Sequence, residues 1–281
     1  LVRHDGSRFD CFGLSEGLVD LQVNALVEDR DGDLWIGTQR GLSRWDGRVL
    51  HGYGRGDGLS VDGIDALAMD ADGRLWIGGR EGVNCRYQGR FGAPHGMQGQ
   101  LAGVRAITCC DDGQVWFGTE HGLRQTQRPH SHPDWAHIST RDGLVNNQIR
   151  SIVQDSAANF WVGTSGGISQ YSRTFTSLTT AHGLVHDDVR AVIHCGDGIL
   201  WLGTGAGLSR YDGLAFANFT TAEGLVGDRV HGLLQDRDGS LWIGTDCGLS
   251  QYDGHSFTNY TTDDGLPDRA IYDLMQARDG S

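Results

Sequence analysis

One position in this chain changes its chemistry from copy to copy of a repeated segment, while its neighbours stay apolar or small. It is held in turn by Asn24, Asp65, Arg105, Arg150, Arg190, His231 and Tyr272. The three arginines come from successive copies. Guanidinium forks grouped in this way match the planar oxygens of carboxylate or sulfate groups, because each fork presents parallel N–H donors. Two readings are open to them: contact with an anionic ligand, or local pairing with loop acids such as Asp187 and Asp188. Asp65 and His231 are the acid and the base at this position. They fall on non-adjacent copies, whereas acid–base catalysis needs both groups at one bond. No nucleophile elbow, phosphate-binding loop or Cys–His pair in a suitable setting occurs, and no cofactor is implied.

Two further patterns bear on metals. Asp-x-Asp-Gly recurs, as in Asp236-Arg237-Asp238-Gly239. A calcium loop needs about six or seven oxygens, and these turns offer two carboxylates. Other copies degrade, to Ser156-Ala157-Ala158-Asn159 and Gly196-Asp197-Gly198. Hairpin chemistry is therefore the expected role, with Asp favouring the turn and Gly accepting positive φ. His130, His132 and His137, with His121 nearby in sequence, form the one histidine cluster. An HxH pair with a third His suits zinc, but no Cys or carboxylate stands at a supporting spacing, so a solvated outer loop is expected and no metal site is assigned. The six cysteines, Cys11, Cys85, Cys109, Cys110, Cys195 and Cys247, contain no CxxC pair and share no repeat position. Free thiols are expected rather than a disulfide framework.

Charge narrows the partners. The 281 residues carry 23 basic and 36 acidic side chains for a formal charge of −13, and every fixed cation is Arg. Without basic blocks the chain is a poor match for nucleic acid or an anionic membrane. Without lysine it holds no Schiff-base nucleophile. No apolar run is long enough to span a membrane, and no signal peptide is visible.

These residues must be positioned by a repeat. Trp35, Trp76, Trp116, Trp161, Trp201 and Trp242 are spaced by 41, 40, 45, 40 and 41 residues. Each lies in a segment such as Leu241-Trp242-Ile243-Gly244-Thr245, apolar on both sides and so expected to be buried on both faces. A period near 41 with 44 glycines and 4 prolines suits four-stranded propeller blades joined by tight hairpins. The unit from Gly224 to Gly265 reads as four strands: Val230 to Gln235, Leu241 to Thr245, Leu249 to Tyr252 and Ser256 to Tyr260. The extra residues 128–135 account for the long spacing of 45 and read as an enlarged outer hairpin. Leu1-Val2-Arg3-His4-Asp5-Gly6 aligns with Leu208-Ser209-Arg210-Tyr211-Asp212-Gly213, and Arg278-Asp279-Gly280-Ser281 with Arg237-Asp238-Gly239-Ser240. The expectation is a single all-β domain over residues 1–281, a seven-bladed β-propeller with one blade lacking its Trp-Ile-Gly-Thr strand, cut from a longer chain.

The combined pattern is Asp-x-Asp-Gly-x-Leu-Trp-Ile-Gly-Thr-x-x-Gly-Leu-x-x-Tyr-Asp-Gly, followed by an aromatic strand and Asp-Gly-Leu. It resembles the two-component regulator propeller repeat and covers essentially the whole chain. That resemblance implies the extracytoplasmic, periplasmic sensor region of a bacterial hybrid histidine kinase or related signalling protein, with oligosaccharides among the ligands. It implies no catalysis within this segment, signalling through further domains of the same chain, and room for a homodimer formed by those parts. A protein-interaction scaffold and a propeller lyase or glycosidase are the alternatives, since fold alone excludes neither. If the first strands are innermost, the variable position rings the mouth of a central channel, and the turns between second and third strands, such as Arg80-Glu81 and Glu120-His121, open on the same face.

Overall fold

The computed structural model describes residues 1–281 except 5, 7, 95–100, 111, 127–134, 197 and 281. The architecture is an all-β propeller of four-stranded antiparallel blades, six of them complete among the described residues. Among the described residues helix is confined to single 3-10 turns.

Blade 1 comprises Val23–Glu28, Leu34–Thr38, Gly41–Trp45 and Leu50–Tyr53. Blade 2 comprises Ile64–Met69, Leu75–Gly79, Gly82–Tyr87 and Arg90–Gly92, and blade 3 Val104–Cys109, Val115–Thr119, Gly122–Thr126 and Trp135–Ile138. Blade 4 is Ile149–Gln154, Phe160–Thr164, Gly167–Tyr171 and Phe175–Leu178. Blade 5 is Val189–His194, Leu200–Thr204, Gly207–Tyr211 and Phe216–Phe219, and blade 6 Val230–Gln235, Leu241–Thr245, Leu249–Tyr252 and Phe257–Tyr260. The chain divides into two compact units. One holds blades 1 to 3, the other blades 4 to 6 together with Val2–Asp10.

The expected count of seven blades is corrected to six. Val2–His4 and Phe9–Cys11 pair only with each other, as a two-stranded sheet, and residues 271–276 take no strand assignment. A four-stranded blade is held together through its second strand, and among the described residues no strand joins these two pieces.

Within each unit the Trp strand makes the core, as its double-sided apolar pattern requires. Trp35 packs with Ile64, Leu75 and Ile77 of the next blade. Trp76 does the same with Val104, Val115 and Phe117. In the second unit Trp161 meets Val189 and Leu202, and Trp201 meets Val230 and Ile243. Each such ring contributes roughly 2–3 kcal/mol through burial. The glycine after it is there for close approach: a Cβ on Gly203 would lie 2.5 Å from Val230 of the next blade.

The Asp-Gly-Leu loops are capped 3-10 turns. In Thr221–Glu223 the acid closes the turn, with the Thr220 amide donating to Glu223 Oε2 at 2.7 Å. Gly224 then turns left-handed at φ 109, where a side chain would be strained. The following Leu is buried at Leu18, Leu59, Leu144, Leu184, Leu225 and Leu266. The Thr of Trp-Ile-Gly-Thr closes the next hairpin: Thr204 Oγ1 donates to Gly207 O at 2.8 Å and accepts from the Ala206 amide.

Candidate functional site

The variable position has a defined place in each first strand. Each first strand carries a β-bulge, and the residue passed over is the variable residue. Pairing runs Val230↔Thr245 and then Gly232↔Gly244, leaving His231 outside the ladder. The same step omits Arg190 and Arg150 in blades 5 and 4. It omits Asn24, Asp65 and Arg105 in blades 1, 2 and 3. A bulge frees one residue from pairing and re-aims its side chain, so this site tolerates any chemistry without disturbing the sheet. All six side chains are half-buried. Tyr272 holds the matching place in 271–276 and is 41% exposed.

In the unit holding blades 4 to 6, four of these residues join in one chain of contacts. Arg190 Nε donates to Asp188 Oδ2 at 2.8 Å, and Arg150 Nε stands 3.5 Å from Asp188 Oδ1. That second pair is within ion-pair range but outside hydrogen-bond geometry, leaving both buried atoms without a hydrogen bond. Arg190 Nη1 reaches His231 Nδ1 at 3.5 Å, and the His231 ring lies 5.0 Å from that of Tyr272. Burial and then Arg190 push the His231 imidazole below its ordinary value, against the pull of Asp246. A neutral ring accepting at Nδ1 fits that direction. The local pairing foreseen for Asp188 is thus present, yet one carboxylate serves two guanidiniums and leaves a local excess of positive charge. Asp187 serves the loop instead, accepting from the Thr180 amide at 2.7 Å.

In the unit holding blades 1 to 3 the balance differs. Arg105 Nη2 donates to Glu120 Oε1 at 2.8 Å, which holds the Glu120 carboxyl below its usual range. Asp65 is pushed up by burial, with Arg105 and Arg80 opposing. Asn24 Nδ2 donates to Ile64 O at 3.0 Å. Arg105 is therefore already matched to an acid, and it belongs to a different unit from Arg150 and Arg190. Asp65 and His231 likewise belong to different units. The roles of Asp188, Glu120 and Arg80 follow from turns whose contact with the bulge residue depends on tertiary placement. Their positions in second-to-third-strand turns were the signal for Glu120 and Arg80.

The Asp turns are saturated from within. Asp236 Oδ1 accepts from the Asp238 and Ser240 amides, and its Oδ2 from Trp242 Nε1 at 2.8 Å. Asp29, Asp70 and Asp155 repeat the arrangement with Trp35, Trp76 and Trp161. Among the described residues no group of three or more His, Cys, Asp or Glu side chains is placed to hold a metal. His137 Nε2 meets His121 O at 2.9 Å, while His130, His132 and the enlarged hairpin over 128–134 lie outside the described residues. The described cysteines are free thiols, with burial lifting Cys85 to about 11 and Cys109 to about 12. No helix is long and apolar enough to cross a membrane.

Comparison with known proteins gives this geometry a context. The two component regulator propeller family model matches residues 17–40, 58–81, 143–166 and 224–247. Curated proteins yield no match. Among solved structures, the extracellular domain of one hybrid two component system from B. thetaiotaomicron aligns with TM-score 0.85 at 24% identity, covering 94% of this chain and 38% of its own. A second such domain from B. thetaiotaomicron aligns with TM-score 0.84 at 22% identity, covering 98% and 38%. This chain thus spans less than two-fifths of either. A catalytically inactive virginiamycin B lyase from Staphylococcus aureus aligns with TM-score 0.70 at 12% identity, covering 92% and 90%. At these identities the likeness speaks for the fold.

Proposed function

We propose, for a chain built of two component regulator propeller repeats, that it is the ligand-sensing propeller of a bacterial two-component signalling protein. In this reading it has no catalysis of its own and works outside the cytoplasm, in the periplasm. Ligand binding would act by biasing its packing against other domains of the same chain, including any through which the protein dimerises. The similarity to extracellular domains of hybrid two component systems supports the setting.

The observation that carries the ligand reading is the chain Arg150–Asp188–Arg190–His231–Tyr272 on the bulge positions of one unit. Two partly exposed guanidiniums share one carboxylate beside an exposed aromatic ring. That combination suits an anionic oligosaccharide: uronate or sulfate oxygens on the forks and a sugar face on Tyr272. Asn24, Asp65 and Arg105 hold the matching bulge positions in the unit of blades 1 to 3.

Thermal-shift titration with uronate-containing and sulfated oligosaccharides tests this. A rise in melting temperature that Arg150→Ala removes is the expected result. No shift across the panel, with the protein folded by circular dichroism, counts against the reading. Release of cleaved product would favour a lyase or glycosidase, for which the lyase-like fold gives a precedent. Retention of a protein partner in excess glycan would favour a scaffold.

A further inference from the structure

We propose that Ser165 is a specificity-determining residue: by not being an acid it leaves Arg150 open. An acid group from outside the chain then takes, on Arg150, the place that Glu120 fills on Arg105. This rests on the sensing reading for the sugar that carries the acid, and names where that acid sits.

The residue after each second strand opens the turn to the third: Gln39, Arg80, Glu120, Ser165, Gly205 and Asp246 in blades 1 to 6. Backbone bonds fix its place. The Gln39 amide donates to Gln22 O and the Ser165 amide to Gln148 O, both at 3.1 Å. The Gly205 amide donates to Asp188 O at 2.9 Å and the Asp246 amide to Arg229 O at 3.2 Å. Each acceptor lies two residues before the bulge residue of its own blade. A polar side chain at this turn therefore stands beside the bulge residue and serves it. Gln39 Oε1 accepts from Asn24 Nδ2 at 3.4 Å, and Glu120 Oε1 from Arg105 Nη2 at 2.8 Å. The charge of Arg80 acts on Asp65, and that of Asp246 on His231.

Blades 4 and 5 break this rule. Both carry Arg at the bulge, yet Ser165 Oγ turns away to Asn146 Oδ1 at 3.2 Å and Gly205 has no side chain. Among the described residues the acid that faces both arginines is Asp188. Arg190 engages it fully, with Nε and Nη2 each 2.8 Å from Oδ2. The Asp188 backbone is held as well. Its amide donates to His186 Nδ1 at 3.0 Å, and its carbonyl accepts from Gly205. Held in this way, Oδ1 stops 3.5 Å from Arg150 Nε, and both atoms are buried without a hydrogen bond. The Arg150 side chain is nonetheless 32% exposed, so solutes reach it.

The ligand chemistry follows from what is missing. A half-buried guanidinium without a well-bonded acid is unfavourable, and a bulge position does not require an Arg. Arg150 lacks what Glu120 gives Arg105: an oxygen pair bearing one negative charge. The charges also ask for one such group, since Arg150 and Arg190 carry two positive charges and Asp188 one negative. A uronate carboxylate or a sulfate ester meets both demands. The turns Ser165-Gly166 and Gly205-Ala206 present no large side chain against the sugar that bears it. Arg190 is a positioning residue here, because it fixes Asp188.

Ser165→Glu in the intact protein builds the missing acid into the chain. Its melting temperature should rise by about 1–3 °C. That rise should vanish when Arg150→Gln is added, and Ser165→Gln should not produce it. Ser165→Asp serves as the second variant should the longer side chain disturb the turn. Glucuronate and inorganic sulfate at fixed ionic strength are the probes, with glucose as the neutral control. Sulfate also stabilises folded chains by exclusion, so each response is read against Arg150→Gln. The wild type and Ser165→Gln should respond to both anions, whereas Ser165→Glu should bind them at least roughly tenfold more weakly. Undiminished anion binding by Ser165→Glu, a stabilisation that survives Arg150→Gln, or no response of the wild type to either anion would overturn the proposal. A response to both anions with none to acidic oligosaccharides would uphold the docking place and remove the oligosaccharide from the sensing reading.

Discussion

Asp188 lies between Arg150 and Arg190, and the environment of His231 follows from that pairing. Its imidazole faces Arg190 and Tyr272, with Asp246, Arg229 and Asp188 contributing charge. Burial and Arg190 depress its proton affinity. The unfolded chain therefore takes up a proton first as pH falls below about 6.5. Stability should be full above that pH and decline as pH drops towards the folded-state value. His231→Gln should show a shallower loss of melting temperature between about pH 7.5 and about pH 5.5. Parallel curves for the two proteins would refute the assignment. Asp65 has the opposite sign. Burial raises its carboxyl, so the cost of ionising it appears as pH rises and is absent below about 3.8. Asp65→Asn should raise the melting temperature at pH 7, and the gain should vanish near pH 3. The polar, variable character of both positions was legible in the sequence. Their partners were not, because Arg190 and His231 are 41 residues apart and meet only through blade stacking.

Bulge and hairpin divide the labour within each blade. The Asp-Gly hairpin was readable because Asp and Gly are turn residues in their own right. The bulge was not readable: its cause is the pairing of Gly37, Gly118 or Gly244 with the residue beyond the variable one, a relation between strands. The hairpins also explain two unrepeated cysteines. Cys110 and Cys195 hold the places of Asp29, Asp70, Asp155 and Asp236, keeping the backbone turn, as in the Cys195 amide to Ile199 O bond at 2.8 Å. A thiol offers a much weaker acceptor than a carboxylate to the turn amides and the following indole. Asp236→Ala should lose three hydrogen bonds and cost about 2–4 kcal/mol in urea unfolding. Cys195→Asp should gain about 1 kcal/mol by restoring the acceptor. A loss of stability in Cys195→Asp would show that the blade 5 turn has adapted to sulfur.

At the scale of the molecule, a period near 41 gave the architecture but overcounted the blades. Periodicity counts repeats, whereas a blade requires all its strands to be paired. The register of Val2–His4 and 271–276 was visible in the sequence, yet the packing of His4 on Trp242 and Tyr260 and of Ile271 on Gly244 comes from the fold. That arrangement makes the six Trp strands inequivalent. Trp161 and Trp242 share their sequence setting and each donates its indole N–H to an Asp, at 3.1 and 2.8 Å. They differ in what covers the ring: blade 5 covers Trp161, whereas Trp242 keeps an open face. Removing a buried aromatic costs its transfer energy and leaves a cavity, and the cavity contribution shrinks where solvent already reaches the ring. Trp161→Ala should therefore cost about 3–5 kcal/mol and Trp242→Ala roughly half that, read from urea midpoints at equal slope. Equal costs would mean that Trp242 is covered in solution and that its open face does not persist.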